Sequence, residues 1–432
     1  MGSKMDALAI ELNETLKGSI ADSFLSDYGR RMYFPIYGIV EQSAQAGKEA
    51  KLFNATTGMA VHNKKPIMVP FIRKQFTHLT EAQIVSYANS YGEAELRTLW
   101  KEEIYRKNPS LNRCPISLPV VVPGLTGGVS QAASLFVDAK EKVVCSDLYW
   151  ENYDMILSGM RDAELVFFPF YTKDGGFNID ALCDAIIANA EEKHVSVILN
   201  FPNNPTGYTM LKNEAEELKK RIFNLAEQGW KMNFIIDDAY FGLFYEDDIY
   251  KESLFSIFAD LHKNVMAIKI DGATKEHFVW GFRVGFVTYA SKGLNEAQMK
   301  ALEMKTAGSV RASVSNCSKT AQSILIEALK DGDYENDRKS YDGILEARYR
   351  KVKAAVENYK GNRLKALPFN SGYFMCFEVD GNAEQLRQKL LKEFAVGTIS
   401  VKDRYLRVAF SAVDLEGIDE LYAKIFEAAE TL

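Results

Sequence analysis

The sequence predicts an α/β fold: a mainly parallel seven-stranded sheet in a large domain, with a smaller α+β domain after it. Two patterns carry this expectation. Between about residues 116 and 290, the apolar runs ISLPVVVPG, KVVCSD, ELVFFPFY, SVILNFP, KMNFIIDD, VMAIKID and RVGFVTYA alternate with segments such as NEAEELKKRIFNLAEQG, whose apolar residues recur at helical spacing. Strands that alternate with helices imply parallel pairing under helical cover on both faces, because each parallel crossover needs a helix to return the chain. After Ala290 the pattern changes to long charged helices followed by two strand-like runs, the order of an α+β unit. A chain of 432 residues exceeds one ordinary core, and 47% apolar content fills more than one. The expected organisation is an N-terminal segment over residues 1–60 packing with the small domain, a large domain over 61–325 and a small C-terminal domain over 326–432.

In chain order, the first fifty residues hold one helical stretch and the less regular RRMYFPIYG. The run VVVPG leads into a Gly-rich turn, with a helix expected from near Val129. In SVILNFPNNPTGYTM, Val197, Ile198 and Leu199 read as a buried strand, which Pro202 and Pro205 stop because they cannot donate ladder hydrogen bonds. Asn204, preceding a proline, is pushed out of the helical region, so its amide should stand off the chain at a strand end. In NFIIDDAYFGLF a fully apolar strand delivers Asp237 and Asp238 consecutively, and alternation along an extended chain lets only one of them face a given pocket. VMAIKID is followed by a loop bearing Lys275, and Arg283 stands just before RVGFVTYA. Beyond it, NEAQMKALEMKTA and SYDGILEARYRKVKAAVENYK read as helices, GYFMCFEV and YLRVAFS as strands, and LEGIDELYAKIFEAAETL as a final helix.

Composition excludes several classes of function. A formal charge of −6, with Lys and Arg scattered along the chain, offers no basic stripe for a phosphodiester backbone, so nucleic acid is not an expected partner. The five cysteines are odd in number and widely spaced, with no CxxC pair, and read as reduced. Asp6, Glu11 and Glu14 break any apolar export signal, and no run approaches the ~20 apolar residues needed to cross a bilayer. A cytoplasmic protein without metal or membrane partner is expected.

Ligands of open parallel sheets bind beyond the carboxyl ends of the strands. Four such ends carry chemistry here. Backbone N–H groups of Thr126, Gly127 and Gly128, backed by a helix dipole, suit a phosphate, although a plain tight turn would read the same way. Asn204 offers a carboxamide, Asp237 a carboxylate with Tyr240 after it, and Lys275 an amine with Arg283 beyond. Singly, these are a turn asparagine, a helix-capping aspartate and a solvated loop lysine. Together they are the set one ligand requires: an amine for an imine, an acid for a pyridinium nitrogen, donors for a phenolate, and N–H groups with an arginine for a phosphate. That ligand is pyridoxal phosphate.

Through NNPTG, DDAY and KEHFVWGFRVG, in this order and over most of its length, the chain resembles the fold-type I, aspartate-aminotransferase-like family of pyridoxal-phosphate enzymes. The resemblance implies that Lys275 bonds covalently to the cofactor and shuttles the substrate proton. It implies that Asp237 pairs with the ring nitrogen and that Asn204 and Tyr240 bond the ring oxygen. Arg283, with Thr126, Gly127 and Gly128, would bind the phosphate. Trp150 in YWENY matches an aromatic ring stacked on the cofactor, and Tyr87 in YANSYGEAELR a tyrosine that reaches the phosphate of a neighbouring subunit. Gly58 in ATTGMA stands where the backbone approaches the substrate, and Arg407 in RVAFS matches the arginine that forks onto the α-carboxylate, with Arg404 a nearby competitor. Where many relatives carry two hydroxyl residues before the lysine, Gly272 replaces one and Thr274 supplies the other.

The implied activity is ping-pong transamination between an L-amino acid and a 2-oxo acid, in a homodimer with shared active sites. Arg311 stands five residues before Asn316, the spacing at which aspartate-specific relatives carry an arginine that crosses the dimer interface, so aspartate or glutamate is the favoured substrate. A solvated helix arginine is the plain alternative. A β-lyase, a decarboxylase, an aromatic aminotransferase and a cofactor-sensing module remain open on these residues alone.

Overall fold

The computed structural model describes residues 5–35 and 37–432. Each of the seven apolar runs becomes a strand of one sheet: β1 (Val120–Pro123), β2 (Lys142–Ser146), β3 (Glu164–Phe168), β4 (His194–Asn200), β5 (Lys231–Asp237), β6 (Val265–Gly272) and β7 (Val284–Ala290). Their order across the sheet is β1-β7-β6-β5-β4-β2-β3. β7 runs antiparallel to both its neighbours, and the other pairs are parallel. The exception matters for the site. Because β7 is reversed, its first residues lie at the edge where the parallel strands end.

The central strands are apolar along their length because both faces are covered. Helix Lys212–Glu227 buries Ala215, Leu218, Ile222 and Leu225, a stripe at three- and four-residue spacing, and packs beside helices Ile179–Asn189 and Leu254–Phe258. On β5, Phe234 stacks on Phe258 of the short helix Leu254–Phe258, with ring centroids 4.1 Å apart.

The second sheet holds β8 (Leu364–Ala366), β9 (Phe374–Val379), β10 (Ile399–Val401) and β11 (Tyr405–Ala409) in the antiparallel order β8-β9-β11-β10. GYFMCFEV and YLRVAFS supply β9 and β11. β8 and β10 have only three residues each, too few for an alternating pattern to show. Helices Ala383–Phe394 and Ile418–Glu430 pack on each other, and the latter also meets the long helix Tyr334–Asn358.

Two expectations need correction. The described residues among the first fifty form four helices rather than one: Ala7–Leu16, Ile20–Phe24, Asp27–Arg31 and Ile39–Glu49. Two of them are five residues long, shorter than the window in which helical spacing can be read, and are fixed by side-chain caps from Ser19 and Ser26. Helix Ile39–Glu49 lies on the small sheet, where Gln42 both donates to Ser400 O (3.1 Å) and accepts from Ser400 N (2.7 Å). Helix Asp27–Arg31 stands on the other side, Arg31 Nε donating to Gly159 O at 3.1 Å within the π-helix Asp154–Met160. Ile36, within RRMYFPIYG, lies outside the described residues.

The helix after β1 begins at Gly124, not near Val129. Gly127 and Gly128 within it serve packing rather than a turn. A Cβ on Gly128 would stand 2.6 Å from Ile270 Cγ2 of β6, and one on Gly127 would stand 2.6 Å from Pro123 Cγ. The first helical turn therefore rests directly on the sheet. Among the described residues no helix is long and apolar enough to cross a membrane, and no group of His, Cys, Asp and Glu could hold a metal ion. All five cysteines are free, four of them buried.

Candidate active site

At the carboxyl edge of the large sheet, one cavity is lined by Lys275, Asp237, Asn204, Tyr240, Thr126, Trp150, Thr274 and Arg283. Each arrives by a strand end. Asp237 closes β5, Lys275 and Thr274 occupy a single helical turn after β6, Thr126 lies in the first turn of the helix after β1, Trp150 follows β2, Asn204 follows β4, and Arg283 precedes the reversed β7.

Asp237 is 2% exposed. Burial pushes its carboxyl upward, while a hydrogen bond from Tyr153 Oη (2.6 Å to Oδ2), the charge of Lys275 and the Ala239 N–H (3.1 Å to Oδ1) pull it back toward the ionised form. Asp238 points the opposite way, into a buried ion pair with Lys269. Burial lowers the Lys275 ammonium from 10.5 to about 8; Asp237 opposes this and Arg283 adds to it. The Lys275 amine stands 5.0 Å from the centre of the Tyr240 ring. Burial holds the Tyr240 phenol well above its ordinary range, so at neutral pH it remains a donor.

From β11, Arg407 enters the same region with 4% exposure. Its Nη1 donates to Asn204 Oδ1 (3.1 Å), its Nη2 to Thr56 O (2.9 Å), and its plane lies 4.5 Å from the Phe374 ring centre. Among the described residues Arg407 Nε is buried without a hydrogen-bond partner, as is Thr274 Oγ1. Gly58 closes this side: a Cβ there would stand 3.2 Å from Tyr240 Oη. Arg404, the competitor, turns outward and pairs with Glu378.

Not every sequence candidate reaches the cavity. Of the trio Thr126, Gly127 and Gly128, the first lines the space, while the Cα atoms of the two glycines pack the helix onto the sheet. Tyr87 is 91% exposed, and Arg311 lies exposed near the end of helix Glu296–Ser313, both outside this chain's own cavity. Conversely, three residues escaped sequence reasoning. Tyr153 holds Asp237 from the start of a π-helical segment, which no periodicity announces. Asn200, at the end of β4, donates to Asp237 O (2.8 Å) and accepts from Asn204 N (2.8 Å). Gly124, at φ +75°, leaves room for Arg283, whose Nη2 would be 2.2 Å from a Cβ there. The PG dipeptide was a turn signal, but nothing in it named an arginine 159 positions away.

A family model of the class I and II aminotransferases matches residues 56–425. The chain belongs to the class I and II aminotransferases. It is 24% identical over 379 residues to an aspartate aminotransferase of Thermotoga maritima, covering 83% of this chain and 87% of that one. A solved aminotransferase from Anaerococcus prevotii superposes with a TM-score of 0.79 at 25% identity, covering 99% of this chain and 98% of the other. The Thermus thermophilus aspartate aminotransferase with maleate gives a TM-score of 0.73 at 17% identity, covering 94% and 99%, a likeness of fold.

This aminotransferase is therefore a pyridoxal-phosphate enzyme of fold type I. The residues present fit that cofactor. Among the described residues Thr274 Oγ1 and Arg407 Nε are donors that the protein itself leaves unused, Asp237 is a buried acid in the cavity lining, and Arg283 and Thr126 share that lining, Arg283 beside the helix N-terminus at Gly124.

Proposed function

We propose that this aminotransferase takes aspartate or glutamate as amino donor and passes the amino group to a 2-oxo acid, with Lys275 as covalent anchor and proton carrier. The observation that supports the reading best is the convergence of Lys275, Asp237 and the unpartnered Nε of Arg407 from three strands on one region. Asp237 would hold the cofactor's ring nitrogen, Asn204 and Tyr240 its ring oxygen, and Trp150 its face. Thr126, Thr274 and Arg283 would hold its phosphate. Bound there, pyridoxal phosphate supplies an electrophilic carbon for the amino group and a conjugated ring that accepts the electron pair left by the α-proton.

The chain's own groups do the rest. Because burial brings Lys275 to about 8, a fraction of its amine is neutral at physiological pH and can take a proton, which a lysine at 10.5 would rarely do. Arg407, already oriented by Asn204 and Thr56, presents Nε and the outer edge of its fork to the substrate α-carboxylate. Tyr87 and Arg311, exposed on the single chain, act across the interface of a homodimer, Tyr87 on the neighbour's phosphate and Arg311 on the distal carboxylate of its substrate. Free, mostly buried cysteines favour a cytoplasmic setting.

The test is a substrate panel. With 2-oxoglutarate as acceptor, Arg311→Ala should lower kcat/KM for aspartate on the order of 100-fold, the loss of one charge-assisted pair, and leave alanine and phenylalanine unchanged. Undiminished aspartate turnover removes the acidic preference. Lys275→Ala should abolish turnover and the visible absorbance of the bound cofactor, and an active Lys275→Ala protein rejects the whole assignment.

A further inference from the structure

Asp237 and Asp238 are chemically equivalent until the fold tells them apart. The Asp238 side chain leaves the strand end on the face away from the cavity, where it is 3% exposed. There it accepts a hydrogen bond from Ser253 Oγ (2.6 Å) and pairs with the Lys269 ammonium. Lys269 lies on β6 and is 1% exposed. Two residues on, and so on the same face of the strand, Asp271 brings Oδ2 to 3.4 Å from the same ammonium and accepts Trp100 Nε1 at 3.1 Å through Oδ1. The Phe241 ring closes over the ammonium, its centre 4.8 Å away.

A buried ion pair is a poor source of stability, since well-packed apolar residues of the same volume serve as well or better. Its placement suggests another use. The β5–β6 ladder reaches Asp237 opposite Ile270, and the Asp238 N–H still donates to Ile270 O (2.9 Å). Past that point one chain carries the cofactor-facing carboxylate, and the other runs through Gly272 into the turn bearing Lys275. Lys269 holds the residue after Asp237 and, through Asp271, the strand that leads to Lys275.

We propose that Lys269 is a positioning residue: by tying Asp238 and Asp271 together behind the sheet edge, it commits Asp237 to the cavity and fixes its separation from Lys275. This rests on the role proposed above for Asp237. Asp271 also feels the Lys107 ammonium, which pairs with Glu276 at 2.6 Å, so Asp238→Asn leaves Lys269 a charged partner in Asp271, whereas Lys269→Met takes the paired ammonium from Asp238 and leaves Asp271 only the more distant Lys107.

The experiment compares Asp238→Asn and Lys269→Met with Glu303→Gln, which breaks the Arg97–Glu303 pair (2.8 Å), an ion pair of low exposure away from the cavity. For each full-length protein, the dissociation constant of pyridoxal phosphate, the visible circular dichroism of the bound cofactor and the thermal midpoint are measured. Asp238→Asn should weaken cofactor binding by about tenfold or more and diminish its dichroism. Glu303→Gln should lower the thermal midpoint and leave both cofactor readouts in place. Should Lys269→Met fail to fold, Asp238→Asn decides. Wild-type affinity and dichroism in Asp238→Asn, with a fall in thermal midpoint like that of the control, overturn the proposal. An Asp237→Asn arm separates the two readings. Weakened binding there beside wild-type binding in Asp238→Asn defeats the positioning role alone, and unchanged binding in Asp237→Asn defeats the role of Asp237 and the positioning role with it.

Discussion

The amine that serves the chemistry should cost the cofactor-free protein stability, and the cost should depend on pH in a fixed direction. Lys275 falls from 10.5 in the unfolded chain to about 8 in the fold, a difference worth about 3 kcal/mol at pH values where both forms are protonated. The Tyr240 ring at 5.0 Å returns on the order of 0.5–1 kcal/mol through its contact with the cation. Lys275→Met keeps the length of the side chain and removes the charge. The cofactor-free variant should therefore be more stable than the cofactor-free wild type by about 2–3 kcal/mol at pH 7. The sign follows from proton counts. Below pH 8 the lysine is charged in both states, and the whole penalty is present. Between about 8 and 10.5 only the unfolded lysine binds the proton, so wild-type stability rises with pH relative to the variant. Above 10.5 neither is charged, and the gap closes. Urea unfolding of both proteins at intervals from pH 7 to 10.5 measures it, ionisations that do not couple to Lys275 cancelling in the difference. A variant no more stable than wild type at pH 7, or a gap that does not shrink with pH, would refute the reasoning.

Two further outcomes follow from single contacts. Tyr153→Phe removes the 2.6 Å hydrogen bond that favours ionised Asp237, so the carboxyl should rise further and the acid limb of the kcat/KM profile should move to higher pH; an unmoved limb would show that Tyr153 does not tune Asp237. Gly124→Ala places a Cβ 2.2 Å from Arg283 Nη2 at a backbone φ of +75°, which should cost about 1–3 kcal/mol of stability and displace the arginine. Unfolding midpoints and pyridoxal phosphate affinity check it, and an alanine variant equal to wild type in both would dismiss the close approach.

The large sheet was legible because its strands are buried on both faces. Burial on both sides leaves a run of apolar residues with nothing else to explain it, and each of the seven runs became a strand. Legibility at the site followed the same edge. Asn204, Asp237 and Lys275 each come directly after such a run, so a reader who finds the strand finds the residue. Where no period exists to read, the sequence was silent: the three-residue β8 and β10, the five-residue N-terminal helices and the π-helical segment behind Tyr153 are all shorter or differently wound than the windows that patterns need. The glycines after Pro123 misled in an instructive way, since a missing Cβ marks a turn and a close helix–sheet approach with the same letter.

Local chemistry, then, was determined by sequence alone: which long apolar runs are strands of the large sheet, where prolines end them, and which ionisable side chains stand at their ends. The tertiary structure decided which of those side chains share a space. It reversed β7, which brings Arg283 to the edge where the parallel strands finish. It also turned Asp238 away from Asp237 toward Lys269, and left Nε of Arg407 without a partner beside Asn204. Proximity between residues far apart in the chain is a property of packing, and packing depends on every contact at once rather than on any stretch of residues.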